Sequence, residues 1–362
     1  GAWLAGISTG SGVAVQFNET GFTRAQIGAA SFLYWESEEV ATGTLEGTWA
    51  PGDEAGFEGC VHAAFVKRLP WSTGDRFDSH VDVGTQLDVI MANSEVQSAS
   101  GTLMMMFTED SQDSIRASIA ADFVKDQPIS GAGAVEVLRD LVVAEGEFLL
   151  YLTEGSGGTA NVSQDKLQSL DGSIGLRLDK DGTPLMRGDF AASYLASEGD
   201  SARISGDGIV ELLSDIDVGT SGEFGLMIHS GTSVSASILD SELQGLEGDV
   251  AFSVSYGGGP FLEGQVQAQY IHGQEPMVSA TGAVNVVTEM DFGIQAGDYG
   301  INLMPGTGAT FEFRDNNLIS LGGVISTRVY DTGGELLDVD LSGTYDHQGG
   351  TFEGVGKATL LR

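Results

Sequence analysis

The sequence has few of the residues that build disulfide frameworks, metal clusters or membrane helices. It contains one cysteine, Cys60, among 362 residues, which excludes an internal disulfide and any multi-cysteine metal site. Its apolar runs are short: the run from Leu103 to Phe107 falls far below the roughly 18 residues of a membrane-spanning helix. The fold therefore depends on ordinary packing and backbone hydrogen bonds.

Basic residues are also scarce. The chain has 16 Lys and Arg against 52 Asp and Glu, a formal net charge of −36. Nucleic acids and anionic membrane surfaces would be repelled by this charge, so neither is an expected partner. The partners that we expect are another protein or neighbouring domains of the same polypeptide.

Glycine is the residue in excess. The sequence has 53 Gly but only 7 Pro, and 41% of its residues are hydrophobic. Glycine at this level, without a collagen period, is typical of turns and bulges between short strands. The hydrophobic content is sufficient for a sizeable core.

An internal repeat of about 75 residues organises the chain. The segment LDGSIGLRLDKDGTPLMRGDFAASYL starts at Leu170, and LEGDVAFSVSYGGGPFLEGQVQAQYI starts at Leu246. A further unit starts at Leu321. The segments GIVELL at Gly208 and GAVNVV at Gly282 repeat with a similar offset.

These offsets predict repeats over residues 99–169, 170–245 and 246–320, with a partial repeat over 321–362. Residues 1–98 are predicted to form divergent, shortened repeats, because Leu45-Glu46-Gly47 lies only 54 positions before Gly101. The chain begins and ends partway through a unit, and natural arrays end in atypical caps. We therefore expect it to be part of a longer polypeptide.

Within a unit the hydrophobic period is two, as in a strand with one buried and one wet face. Val250, Phe252 and Val254 alternate with small polar residues, for example. About five strands per unit are predicted, with hairpin turns at Asp181-Gly182 and Gly257-Gly258. The predicted fold class is all-β: an antiparallel meander folded into an elongated sandwich or a solenoid-like array.

The sequence predicts no catalytic or cofactor-binding residues and no enzyme activity. A Ser-His-Asp triad would need one of five histidines, and no nucleophile-elbow motif supports one. His272 and His347 share a repeat phase, two positions after Tyr270 and Tyr345, which indicates turn positions. The last of the four tryptophans is Trp71, and this clustering is in keeping with core packing or a partner contact at that end.

Paired carboxylates leave the question of a metal open. They occur two positions apart at Asp179 and Asp181, Asp215 and Asp217, and Asp338 and Asp340. Calcium favours such oxygen-rich turns, but the DKDG stretch at Asp179 lacks the closing Glu of an EF-hand loop. Calcium is thus the one cofactor that the sequence leaves open, without assigned ligands.

A Leu-x-Gly motif recurs, followed by alternating aliphatic and small polar residues and a Gly-rich turn. Over about residues 95–362 this pattern resembles known repeats. It resembles the Gly-rich β-repeat regions of large cargo-like or toxin-like proteins of bacterial extracellular contractile injection systems. More loosely, it resembles the repeats of AsmA/TamB-type lipid-transfer proteins, which fold a long sheet into an apolar groove. The glutamine and serine faces and the acidity argue against a continuous lipid groove here.

The predicted function is a non-enzymatic β-repeat scaffold or spacer of a larger secreted or injected bacterial protein. The alternative is a cell-surface adhesin or binding module, stabilised by calcium in one version. Both place the protein outside the cell or on an export route. The recurring residues are Gly, Tyr and aliphatics, which are packing residues.

Overall fold

The structure is a computed structural model that describes residues 3–18, 21–50, 56–164, 166–196, 203–275, 277–291, 299–315, 317–347 and 349–361. This part of the chain contains 29 β-strands and no helix, which confirms the all-β prediction. No described residues form a helix of the length and apolarity needed to span a membrane.

Two compact units share the chain, and both include strands from its middle. The first unit comprises residues 1–143, 151–175 and 191–203. The second comprises residues 144–150, 176–190 and 204–362.

Two short strands come first, and sets of strands in one recurring order follow. The first two are β1 (Trp3–Ile7) and β2 (Gly12–Asn18). The next six are β3 (Gly21–Trp35), β4 (Glu38–Ala50), β5 (Gly56–Phe65), β6 (Leu69–Ser72), β7 (Asp78–Val81) and β8 (Gln86–Ala92). The following six are β9 (Glu95–Glu109), β10 (Gln112–Val124), β11 (Ser130–Val137), β12 (Leu141–Ala144), β13 (Phe148–Leu152) and β14 (Gly157–Ser163).

The later sets repeat this order. The third consists of β15 (Lys166–Lys180), β16 (Thr183–Leu195), β17 (Arg203–Leu212), β18 (Ile216–Ser221), β19 (Phe224–Ile228) and β20 (Ser233–Leu239). The fourth consists of β21 (Glu242–Tyr256), β22 (Gly259–Ile271), β23 (Val278–Val286), β24 (Met290–Asp291), β25 (Tyr299–Leu303) and β26 (Gly308–Arg314). The last strands are β27 (Asn317–Asp331), β28 (Gly334–Asp346) and β29 (Thr351–Leu360).

Strand lengths recur along with the order. Each set opens with a strand of 15 residues and continues with one of 13. Each complete set closes with a strand of 7 residues. A complete set thus has six strands, where the sequence predicts about five.

The same strand order also runs from Gly21 to Ala92, inside the stretch predicted to be shortened. Leu45-Glu46-Gly47 lies in the 13-residue strand β4, whereas Gly101 lies in the 15-residue strand β9. The short offset between them therefore compares two different strands of the set. The repeat boundaries themselves remain predictions.

All of the strand pairs resolved residue by residue are antiparallel. In the first unit the order of neighbours is β3, β4, β5, β8, β9, β10, β11, β14 and β15. In the second it is β17, β20, β21, β22, β23, β26, β27, β28 and β29. Short hairpins such as β18–β19 pair with the far end of a long strand, here β21.

Two-residue turns with positive φ connect the hairpins. Gly257 and Gly258 have φ values of 58° and 84°, and Asp181 and Gly182 have 50° and 77°. Turns of this kind match the right-handed twist of the flanking strands. Both predicted hairpin turns are confirmed.

Few side chains are fully buried. One small cluster in the first unit consists of Val40, Leu69 and Val81, with Leu33, Phe65 and Met105 packed against it. Most large hydrophobic side chains are instead half-buried or exposed.

Candidate functional site

The strands of the second unit have one apolar face and one polar face. In the second unit the apolar positions are paired across consecutive strands, for example Val250 with Val266 and Ile325 with Leu341. We call this surface the apolar face: Val234, Ala236, Leu246, Gly248, Val250, Phe252, Val254, Leu262, Gly264, Val266, Ala268, Tyr270, Ala280, Gly282, Val284, Ala309, Phe311, Leu321, Gly323, Ile325, Thr327, Val329, Leu337, Val339, Leu341, Gly343, Tyr345, Phe352, Gly354, Gly356, Ala358 and Leu360. None of these residues is charged.

The opposite surface of the same strands is the polar face. On β22 it carries Glu263, Gln265, Gln267 and Gln269 in alternation with the apolar residues. On β20 it carries Ser233, Ser235 and Ser237. The glutamines and serines therefore lie on the face opposite to the apolar one and do not interrupt it.

Aromatic rings cover glycines on the apolar face. Gly282 of β23 is paired with Phe311 of β26, and a Cβ added to Gly282 would overlap the Phe311 ring. Phe252 lies over Gly264 in the same way. Rings laid over glycines restore packing that the missing side chains would otherwise lose. Gly264 and Gly282 are thus each half of a ring-and-slot pair, and the other half lies on a neighbouring strand.

A groove runs along the apolar face of β26–β29. Its volume is about 860 Å³, within the range of small-molecule sites. Leu321, Ile325, Leu341 and Phe352 supply apolar side chains to its lining, and glycines such as Gly343 form part of its floor. These four large side chains are exposed.

The groove offers few hydrogen-bonding groups. The backbone N–H and C=O groups of its two central strands are engaged in the ladders β26–β27, β27–β28 and β28–β29. The Tyr345 hydroxyl lies 3.4 Å from His347 Nδ1. A ligand in this groove gains from apolar burial and not from polar contacts.

A hydroxyl residue holds the long strand at the same point of each set. Thr307 follows Gly306, whose φ is 93°, and its Oγ1 accepts a bond from Ser326 N (2.9 Å) and donates one to Ser326 O (3.0 Å). The equivalent pairs, all with the same spacing in the sequence, are Ser11 with Ala30, Thr85 with Met104, Ser156 with Gly175 and Thr232 with Ala251. We call these five pairs the hydroxyl clamps.

The clamps are not among the features predicted from the sequence, although they have a signature there. Gly followed by Ser or Thr occurs at each clamp, at 10–11, 84–85, 155–156, 231–232 and 306–307, but also elsewhere in the chain, as at 43–44 and 101–102. All five glycines have positive φ, which glycine adopts without steric cost. The Gly-rich runs at 10–12 and 155–158 are therefore turns that place a hydroxyl.

The histidines are dispersed. His62 Nδ1 lies 2.6 Å from Asp88, His80 Nε2 lies 3.2 Å from Thr108 and His229 Nδ1 lies 3.1 Å from Asp215. His272 and His347 occupy turns beside their tyrosines, as predicted.

The nearest approach to a catalytic triad is at His229. Ser230 donates its backbone N–H to Asp215 Oδ1 (2.8 Å). The Ser230 N–H and His229 together lower the pKa of Asp215. Nucleophilic activation requires the serine hydroxyl to meet the imidazole, which this arrangement does not provide.

The three carboxylate pairs divide their contacts among different partners. Asp179 is buried and accepts a bond from Arg177 Nε (2.9 Å), whereas Asp181 lies in the turn. Asp217 accepts from Gly219 N (2.8 Å). Within the residues that the structure describes, no three His, Cys, Asp or Glu side chains are grouped to hold a metal ion.

Asp338 and Asp340 on the polar face are likewise directed to separate groups. Arg328 Nε donates to Asp338 (2.7 Å) and its Nη1 donates to Glu335 (2.7 Å). The guanidinium lowers the pKa of Asp338. Asp340 accepts from the Ser326 hydroxyl (2.7 Å).

Two tryptophans can be placed. Trp49 lies on the apolar side of β4, paired with Ala25 and Phe57, and Trp71 on β6 is strongly exposed. The side chains of Trp3 and Trp35 lie outside the described part of the structure. Cys60 is exposed on β5.

The chain matches no protein-family model, and no curated protein matches its sequence.

Proposed function

We propose that the chain is a non-enzymatic β-repeat scaffold within a larger exported bacterial protein. The observation that carries this proposal is the recurrence of the hydroxyl clamp at five equivalent positions. The contacts of the Asp-paired histidines and of the arginines, by contrast, differ from one set to the next. The hydrogen bonds of the clamps recur in every set, whereas the contacts of the histidines and arginines do not. This difference favours a structural role over catalysis.

The interchangeability of the sets tests this proposal. Deleting residues 242–316 removes one whole set and joins Ser241 to Asn317, so that β20 precedes β27 as it precedes β21. We expect the shortened chain to keep its β-type circular dichroism and a cooperative thermal transition. In a repeat array each interface between neighbouring repeats contributes a similar free energy of folding. The array can therefore lose one set and still fold.

A smaller, out-of-phase deletion is the matched control. Removing residues 242–279 takes out only about half as much of the chain but brings β20 into sequence with β23, which breaks the strand order. This variant is expected to lose the cooperative transition. Equal damage by both deletions would contradict a scaffold of equivalent sets.

A second function is favoured by the groove on β26–β29: binding of an aliphatic acyl chain. A peptide laid on this face would leave its own backbone N–H and C=O groups unsatisfied, which is costly. An acyl chain has no such groups. The net charge of −36 further favours a neutral head group over an anionic one.

A neutral pyrene-labelled monoacylglycerol is the probe for this function. We expect saturable binding to the full chain, weakened at least tenfold by Leu341→Asp, because the new carboxylate lies in the groove. Val324→Asp places the same charge on the polar face of the neighbouring strand β27 and serves as the control. Equal loss in both variants, or no saturable binding, would contradict acyl-chain binding.

A further inference from the structure

The groove on β26–β29 has two unlike ends. Along β28 its lining extends from Leu341 to Tyr345, and His347 lies exposed in the turn directly after this strand. Beyond Leu341 the apolar face continues along β28 through Val339 and Leu337. One end of the groove is therefore polar and the other apolar, which suits an amphiphile with a single head group.

The polar end carries a hydrogen-bonded pair. The Tyr345 hydroxyl lies 3.4 Å from Nδ1 of His347. When the imidazole proton is on Nε2, the phenol donates to Nδ1, and the Nε2–H remains for another partner. When the proton is on Nδ1, the imidazole donates to the phenol oxygen, and the phenol O–H remains. In either tautomer the pair offers one hydrogen-bond donor to a ligand.

Apolar burial holds a chain in the groove but does not distinguish one head group from another. We propose that Tyr345 and His347 form the head-group site of the groove and select a neutral ester, such as a monoacylglycerol. The ester carbonyl accepts the hydrogen bond that the pair has left, and the acyl chain runs from Tyr345 toward Leu341. This inference rests on the acyl-chain function proposed above and adds its head-group specificity.

Charge separates the ester from a fatty acid. The carboxylate of a fatty acid could accept the same hydrogen bond, but the net charge of −36 repels it. An ester carbonyl is an acceptor without a charge.

The same pair recurs one set earlier without such a groove. The Tyr270 hydroxyl lies 3.3 Å from Nδ1 of His272, and the hollow beside it has a volume of about 500 Å³. Asp207 and Glu247 line this hollow, and an acyl chain laid there would desolvate their carboxylates at a high cost. Tyr270 and His272 therefore provide a matched control with the same side chains and the same hydrogen bond.

Removing the pair tests the proposal. The double substitution Tyr345→Phe and His347→Leu removes both donors and keeps an aromatic ring at the end of the groove. Fluorescence titrations of the full chain compare a pyrene-labelled monoacylglycerol with a pyrene-labelled alkane that has no head group. We expect the variant to bind the monoacylglycerol about fivefold more weakly, because one net hydrogen bond is lost, and the alkane with unchanged affinity. The control Tyr270→Phe and His272→Leu should bind both probes as the wild type does.

A competition experiment on the wild-type chain tests the same point without a substitution. An alkylglycerol ether of equal chain length keeps the hydroxyls of the monoacylglycerol but lacks its carbonyl. We expect the ether to displace the pyrene-labelled monoacylglycerol about fivefold less well than the unlabelled ester does.

Three results would overturn the head-group site while the alkane still binds the wild type. They are an unchanged affinity of the Tyr345 and His347 variant for the monoacylglycerol, an equal loss of affinity for both probes, and equal displacement by the ester and the ether. In these cases the acyl-chain function itself would stand. Failure of the wild type to bind either probe would contradict the acyl-chain function, and the head-group site with it.

Discussion

The apolar face and the polar face are built from the same strands, yet they are held together differently. On the apolar face, glycines receive rings, as Gly282 receives Phe311. On the polar face, charged and hydroxyl side chains meet directly, as Arg328 meets Asp338 and Ser326 meets Asp340. Complementary shape therefore stabilises the first face, and the pairing of polar groups stabilises the second.

Filling a slot on the apolar face should give the largest effect. Gly282→Val introduces a side chain where the Phe311 ring lies, and overpacking of this kind costs about 1–3 kcal/mol. Urea unfolding measures the loss. Ala283→Val, one position away on the polar face, is the control and should change stability by no more than about 0.5 kcal/mol.

A double variant sharpens this prediction. Phe311→Ala removes the ring, so Gly282→Val should cost less in that background than in the wild type. Additive losses would show that the valine does not meet the ring. A stabilised Gly282→Val would mean that strand propensity outweighs shape on this face.

Removing a hydroxyl clamp should have the next largest effect. Thr307→Val leaves the N–H and C=O of Ser326 without their side-chain partner, at a cost of about 1–2 kcal/mol. Thr281→Val on the exposed polar face of β23 is the matched control. Similar losses in both variants would mean that the clamp adds nothing beyond strand propensity.

The alternation of the strands could be predicted from the sequence, because period two needs only local information. Val250, Phe252 and Val254 share the apolar face as predicted, and the turn at Gly257-Gly258 follows from glycine alone. The ring over Gly282 could not be predicted, because Phe311 reaches it only through the register of β23 and β26.

The hydroxyl clamps could not be predicted from the sequence for the same reason. Their Gly-Ser/Thr signal is visible in the sequence, but the backbone group that each hydroxyl bonds lies in a different strand, as Ser326 does for Thr307. The histidines and carboxylates contact separate partners, and these contacts likewise depend on the tertiary structure. Asp338 and Asp340 are close in sequence, and the structure gives them different partners.

Breaking an ion pair on the polar face should give the smallest effect. Arg328→Gln removes the partner of Asp338, whose pKa in the folded state is lowered by that arginine. A lowered carboxyl pKa stabilises the fold above the unfolded pKa of about 4, and this stabilisation is lost as the pH falls through the folded pKa. The melting temperatures of wild type and variant should therefore differ slightly at pH 7 and converge in acid.

An Arg328→Gln variant that destabilises the protein as much as Gly282→Val would contradict the expectation that ring packing on the apolar face contributes more to stability than this ion pair. A difference in melting temperature that grows toward low pH would contradict the assigned sign. Exposed ion pairs contribute little because water and salt screen them.

The most direct test of the two-faced arrangement is chemical labelling at two adjacent positions of β27, one on each face. In a Cys60→Ser background, Ile325→Cys places a thiol on the apolar face and Val324→Cys places one on the polar face. The wild-type side chains are 50% and 40% exposed, respectively. We expect a maleimide to label both at comparable rates in the free protein, and the neutral monoacylglycerol to protect position 325 alone. Equal protection of both positions, or slow labelling of position 325 without ligand, would contradict an open apolar face that serves as the binding surface.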